Sequence, residues 1–240
     1  MVLVADAGLG KSRLCVEFLR RAQLRHEGLT LWSAHGDLLS TASPFGMLAQ
    51  SVRRALSLRD DELSAQAQLA DYVGGRVPAS EQVRVIAFLR ELLGLPVRPG
   101  EPQAANPALL AARLEPQLMG DQIRRAVLDL LEGKSSRQPV VWVLEDLQWS
   151  DQPTVRLIDM ALRQLSERPF FVLALARPNV HEIFPRLWEG RDVQEIRLPL
   201  LPRKASEKIT RAVLGAAAPS ELVAGLVERA AGNPFFLEEL

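Results

Sequence analysis

A short apolar strand, a small-residue turn and a lysine–serine pair at a helix start open this chain: Met1-Val-Leu-Val-Ala5-Asp-Ala-Gly8-Leu-Gly10-Lys11-Ser12. A buried strand that feeds a glycine turn and then a helix is a βα unit, and such units build parallel sheets. The turn is also a phosphate cradle. Backbone N–H groups through Ala7, Gly8, Leu9, Gly10, Lys11, Ser12 and Arg13 point inward at an anion, where the helix dipole favours negative charge. Lys11 would bridge the β- and γ-phosphates of a nucleoside triphosphate, and the Ser12 hydroxyl would take a Mg²⁺ position. The first glycine of the pattern G-x-x-x-x-G-K-[ST] is Ala5 here. Alanine tolerates positive φ poorly, so slight strain is expected at that point. Taken alone, the segment could be an ordinary glycine-rich turn before an amphipathic helix.

Composition narrows the rest. A chain of 240 residues can bury the core of one α/β domain and a small appendage. Basic and acidic residues number 29 each, for a net charge of zero, which argues against a protein built around a basic nucleic-acid groove. The single cysteine, Cys15, excludes a disulfide framework or a cysteine-built zinc site and reads as a small core residue. No stretch approaches the roughly 18 unbroken apolar residues of a membrane span. The start lacks the cationic leader and apolar run of a signal peptide. A cytoplasmic protein with no membrane partner is expected.

Strand and helix periods alternate along the chain. Val2–Ala5 and Leu29–Ser33 read as strands around a helix from Ser12 to about Arg25, with Leu14, Cys15, Phe18, Leu19 and Ala22 on its inner side. Helical patterns follow after Pro44-Phe45, over 81–93 and over 121–131, with a Pro/Gly-rich loop at 98–107. Val140–Leu144 is too apolar for a sheet edge and reads as a central parallel strand. Ser150 or Asp151 caps the next helix, with Val155, Ile158, Leu162 and Leu165 facing the core. Further strands are expected at 170–176 and 193–198. After Pro199 and Pro202 the period is helical, over 205–214, 220–231 and from Asn233 on. The fold class is therefore α/β: a parallel sheet of about five strands with flanking helices, then a helical subdomain. The expected division is a core over 1–200, with a helical insertion at about 36–138, and the start of the helical part over 201–240.

Glu145-Asp146 ends the strand Val140–Leu144, and ligands of parallel sheets bind at such carboxyl ends. One acid would hold Mg²⁺ and the other polarise an attacking water; the residues themselves leave open which does which. Leu144-Glu-Asp-Leu-Gln-Trp149-Ser-Asp151 resembles the Walker B segment of the STAND class of P-loop ATPases (signal-transduction ATPases with numerous domains), hhhh-[DE]-D-L-H-W-x-D. The loop Asp6-Ala-Gly-Leu-Gly-Lys-Ser-Arg-Leu14 is similar to that group's Walker A stretch, G-E-A-G-I-G-K-S-R-L. Leu173-Ala-Leu-Ala-Arg177-Pro178 resembles its sensor-arginine segment. Ala231-Gly-Asn-Pro234-Phe-Phe-Leu-Glu-Glu-Leu240 resembles the G-x-P motif of its helical lid. The resemblance implies a P-loop NTPase core with ATP and Mg²⁺ as cofactors. It also implies Glu145 on the Mg²⁺ side, Asp146 on the water side, Arg177 at the γ-phosphate and Pro234 against adenine.

Two departures stand out. Gln148 replaces the group's frequent histidine, and the chain begins after the G-R-E-type segment that the group places upstream of the loop. It also stops inside the lid, so the expectation is a piece of a larger signalling protein. Its partners would be ATP or ADP and effector or sensor domains in the same polypeptide or a neighbouring frame, with homo-oligomerisation left open. His26, His35 and His181 show no metal-ligand spacing and read as surface or satisfied residues. The function implied is a nucleotide-dependent signalling switch of low ATP turnover. The alternatives are an actively hydrolysing remodelling or origin-recognition-like ATPase, and a non-hydrolysing scaffold.

Overall fold

The computed structural model describes residues 1–38, 43–59, 61–215 and 217–239. Leu240, the last residue of the lid motif, lies outside the described residues, as do Ala216 and parts of the insertion. Five strands, β1 (Val2–Val4), β2 (Thr30–His35), β3 (Val140–Glu145), β4 (Phe170–Ala176) and β5 (Glu195–Arg197), form one parallel sheet in the order β2-β3-β4-β1-β5. β3, flanked by Pro139 and Asp146, is interior, as its unbroken apolar run requires. It is not next to β1, because β4 runs between them.

Side chains alternate across the sheet with period two. Val2, Val4, Trp32, Trp142, Leu144, Val172 and Ala174 face the larger core, while Leu3, Val141, Val143, Leu173 and Leu175 face the smaller one. In the larger core Trp142 meets Trp32 edge-on, centroids 5.4 Å apart, and its Nε1 donates to the buried Ser51 Oγ at 2.9 Å. That core is roofed by the helical insertion α2 (Gly46–Ala55), α3 (Glu62–Gly74), α4 (Ala79–Leu93), α5 (Pro107–Ala112) and α6 (Pro116–Ser135), and by α7 (Gln152–Gln164) and the short α8 (Val180–Ile183). The opposite face carries α1 (Lys11–Arg25). The expected inner side of α1 is only partly sunk: Cys15 is buried, Phe18, Leu19 and Ala22 are half-buried, and Leu14 is 44% exposed. A helix that touches the sheet along one narrow stripe buries that stripe and little else.

The helix ends follow from local chemistry. Asp151, not Ser150, caps α7: its carboxylate accepts from Thr154 N–H at 2.8 Å and also from Phe45 N–H at 3.0 Å, which pins the approach to α2. Asn106 caps α5 by accepting from Leu109 N–H at 3.1 Å, with Pro107 in the first turn, inside a stretch read as loop. After β5 the chain runs through α9 (Arg203–Leu214), α10 (Ser220–Ala230) and α11 (Pro234–Glu239). Val223, Val227 and Ala230 form the buried stripe of α10. Among the described residues no helix is long and apolar enough to cross a membrane.

Gly133, in the last turn of α6, lies against the Arg76 backbone: an added Cβ would collide with its carbonyl oxygen and sit 2.9 Å from its carbonyl carbon. Alanine outranks glycine in a helix by about 1 kcal/mol, but a clash with backbone cannot relax as a flexible side chain would. Gly133→Ala is therefore expected to destabilise the fold by about 1–3 kcal/mol, read as a lower urea midpoint. An unchanged or raised midpoint would show that α6 and Arg76 are not packed this closely.

Candidate functional site

Parallel strands end at one rim, and the polar residues of interest collect there. β1 hands the chain to the loop at Ala5–Gly10. Its turns are made by Gly8 (φ +82°) and Gly10 (φ +86°), in the left-handed region that glycine enters without strain. Ala5 is not among the positive-φ residues, so the strain expected there is absent; it is buried and continues the sheet, its N–H donating to Ala176 O at 3.1 Å. Gly10 caps α1 with no side-chain hydrogen bond. The N–H groups of the first turn, Lys11, Ser12 and Arg13, thus face outward with no intrahelical partner, as an anion requires.

Lys11 folds back over its own loop, Nζ donating to Ala5 O at 2.7 Å and to Asp6 O at 2.9 Å. Burial holds its ammonium below the usual lysine value; the carboxylates of Asp146 and Asp6 work against that shift and the Arg177 guanidinium adds to it. Ser12 Oγ donates to Glu145 Oε2 at 3.2 Å, so the β3 acid reaches the loop across the end of β4. A hydroxyl and a carboxylate converging beside phosphate-binding amides are the hard oxygen donors Mg²⁺ prefers, with water and phosphate completing its shell. The residues present therefore fit that ion. Cys15, one turn further on, is pushed up to about 11 by burial and then by the Glu145 charge, which leaves an unreactive thiol.

Asp146 stands beyond the strand in the left-handed region (φ +50°, ψ +50°) and opens the short 3₁₀ turn Leu147–Trp149. One carboxylate oxygen accepts from Gln148 Nε2 at 2.8 Å, and the other lies 3.7 Å from His35 Nε2. His35 is exposed, in keeping with a surface or satisfied histidine, yet it stands beside the acids. It ends β2 in register with Glu145, and that strand pairing carries it to the rim. Gly36 follows with no room for a side chain, since a Cβ would sit 2.5 Å from Asp146 O. Arg177 leaves β4 at the same rim; it is exposed, and its N–H donates to Gln148 Oε1 at 3.0 Å.

The lid motif meets the loop from the other side. Asn233 Nδ2 donates to Ala7 O and Phe235 N–H to Gly8 O, both at 3.2 Å. Leu201 N–H donates to Gly232 O at 2.8 Å, tying the sheet's exit to the end of α10. Pro234 is half-buried between these contacts. Lys11, Ser12, Glu145, Asp146 and Arg177 thus gather at one rim, with the Asn233–Pro234 segment against the loop; His35 and Gly36 join them without having been assigned a place there by the sequence.

A five-stranded parallel sheet with this loop and a helical subdomain is a P-loop NTPase core of the nucleotide-binding kind. The chain belongs to the AAA ATPase domain family, whose model matches residues 1–173. The match takes in the loop and the Leu144–Asp151 segment, in agreement with the motif resemblance. An uncharacterized protein of Rhizobium meliloti (strain 1021) is 28% identical over 249 residues, covering 100% of this chain and 22% of that protein. The chain thus spans about a fifth of that relative's length. Among solved structures, the ORC1 protein of Aeropyrum pernix in complex with DNA has a TM-score of 0.47 at 15% identity, covering 100% of this chain and 51% of that one. A STAND protein with a tetratricopeptide repeat sensor from Pyrococcus horikoshii has a TM-score of 0.44 at 13% identity, covering 100% and 26%.

Gly8 lies directly against the Asn233–Phe235 segment. A Cβ there would meet Asn233 Oδ1 at 2.5 Å and Phe235 Cβ at 2.9 Å. Gly8→Ala is expected to cost about 1–3 kcal/mol through strain and overlap and to speed hydrogen exchange over 233–239. Unchanged exchange in that segment would mean that the lid does not rest on the loop.

Proposed function

We propose that this chain is an ATP-binding signalling switch of low turnover, with residues 1–200 as its core and 201–240 as the start of its lid. The observation that carries this reading is the convergence on one loop of three things: the Lys11 ammonium, the Ser12–Glu145 pair and the lid residues Asn233 and Phe235. A triphosphate entering the loop would take Lys11 Nζ away from Ala5 and Asp6 and accept from the first-turn N–H groups of α1. Mg²⁺, held by Ser12 and Glu145, would neutralise developing charge on the phosphates. Asp146 would orient a water and take its proton, and Arg177 would engage the γ-phosphate with its guanidinium fork. Pro234 would lie against the base.

Slow turnover fits the same arrangement. Gln148 fixes one Asp146 oxygen in place, while the other faces His35, a neighbour that competes for the oxygen that would accept the proton of a water. The STAND resemblance supports a switch over a motor, as does the zero net charge, which lacks the cationic surplus of a nucleic-acid translocase. The 22% share of the Rhizobium relative supports a module working within a longer polypeptide, and the STAND resemblance implies that such a polypeptide would carry sensor or effector domains.

Lys11→Ala removes a charge-assisted phosphate contact and is expected to weaken ATP binding by about 1.5–3 kcal/mol, roughly ten- to a hundredfold. Asp146→Asn is expected to keep ATP affinity and slow its hydrolysis. Calorimetry with Mg²⁺ and a phosphate-release assay check both. Equal affinity in wild type and Lys11→Ala would refute the nucleotide reading. Fast wild-type hydrolysis would favour the working-ATPase alternative, and none at all the scaffold.

A further inference from the structure

Gln148 is the uncharged link between two charged groups of the rim. It is buried, 2% exposed, in the 3₁₀ turn after β3, and both ends of its amide are used. Nε2 donates to Asp146 Oδ1 at 2.8 Å, and Oε1 accepts from Arg177 N–H at 3.0 Å. The two partners come from different strands, Asp146 from the end of β3 and Arg177 from the end of β4. The amide has only one workable orientation, because a carboxylate accepts and a backbone N–H donates. Asp146 also sits in a backbone region that a non-glycine residue holds only when its surroundings impose it.

We propose that Gln148 is a positioning residue that locks the Asp146 carboxylate and the Arg177 backbone at a fixed separation, so that the acid and the sensor arginine act as one unit. The proposal rests on the reading of Asp146 and Arg177 given above. The chemistry demanded of the side chain is narrow: a donor at one end and an acceptor at the other, carried on a neutral group. Methionine has the length without either function. Glutamate keeps the acceptor toward Arg177 but sets a second carboxylate against Asp146. A neutral imidazole offers one donor and one acceptor on opposite sides of its ring, so histidine can satisfy the same two partners. Gln148 acts only through its neighbours and reaches no phosphate itself.

The test compares wild type with Gln148→Met, Gln148→Glu and Gln148→His in the full chain, with melting temperatures confirming that each folds. The first readout needs no nucleotide: exchange of the Arg177 amide, followed by NMR, is expected to be about tenfold faster in Gln148→Met than in wild type and to be slowed again in Gln148→His. The second separates turnover from binding. Gln148→Met and Gln148→Glu are expected to lower the ATP hydrolysis rate about tenfold with ATP affinity held within about twofold, and Gln148→His to recover most of that loss. Wild-type turnover in a folded Gln148→Met protein overturns the proposal alone. So does a matched fall of affinity and turnover in all three variants, which a merely structural residue would give. A wild type that binds no ATP overturns the nucleotide reading, and the role of Gln148 with it.

Discussion

A half-buried ammonium group organises this molecule. Lys11 Nζ is drawn out of water at the mouth of the sheet, and burial of a cation is unfavourable unless acceptors surround it. Two of those acceptors are the carbonyls of its own loop, Ala5 O and Asp6 O. The longer-range balance comes from Asp146, opposed by a second cation, Arg177. Such an arrangement leaves positive charge and unpaired N–H donors facing the same space. A polyanion with several acceptor oxygens satisfies both at once, which no single side chain in the rim can do.

The sheet is what brings these charges together. Lys11 follows β1, Glu145 and Asp146 follow β3, Arg177 follows β4 and His35 ends β2. With all strands parallel, four different segments deliver polar groups to one rim with no long loop. The order β2-β3-β4-β1-β5 matters as much as the direction. With β4 between the acid strand and the loop strand, Glu145 still reaches Ser12, while Arg177 leaves the strand that lies between the acids and the β1 loop. Asp151 shows a second use of the same segment: it caps α7 and holds Phe45, so part of the Leu144–Asp151 motif is architecture.

Much of this was legible in the residues. The fourth strand was read at its observed bounds, and the alternation of strand and helix gave the sheet because long apolar runs flanked by glycine and proline have few other solutions. The helices α3 and α5 were missed for identifiable reasons. The stripe of α3, Ala65, Leu69 and Val73, is small and set among glutamines, so its contrast is low. The Asn-Pro start of α5 was present but outweighed by the prolines before it. His35 and Gly36 could not be found by spacing, since their place depends on a parallel register with Glu145 from a strand far along the chain. Gln148 was noticed as a departure, yet its two hydrogen bonds exist only once β3 and β4 are paired.

What distinguishes a switch from a simple binding domain is whether the γ-phosphate changes the lid. ADP and ATP offer the same base and differ at the γ-phosphate, which on the proposed reading Arg177 would engage, and a ligand shifts a conformational equilibrium only through contacts that differ between its states. The loop that would hold the phosphates already touches the lid through Asn233 and Phe235, so a path for that difference is in place. The decisive measurement is hydrogen exchange across residues 203–232 with ADP and with a non-hydrolysable ATP analogue. The account predicts exchange that differs between the two nucleotides and a difference that Arg177→Ala abolishes. Identical exchange in both nucleotides would contradict it, leaving a nucleotide-binding domain whose lid does not report the bound state.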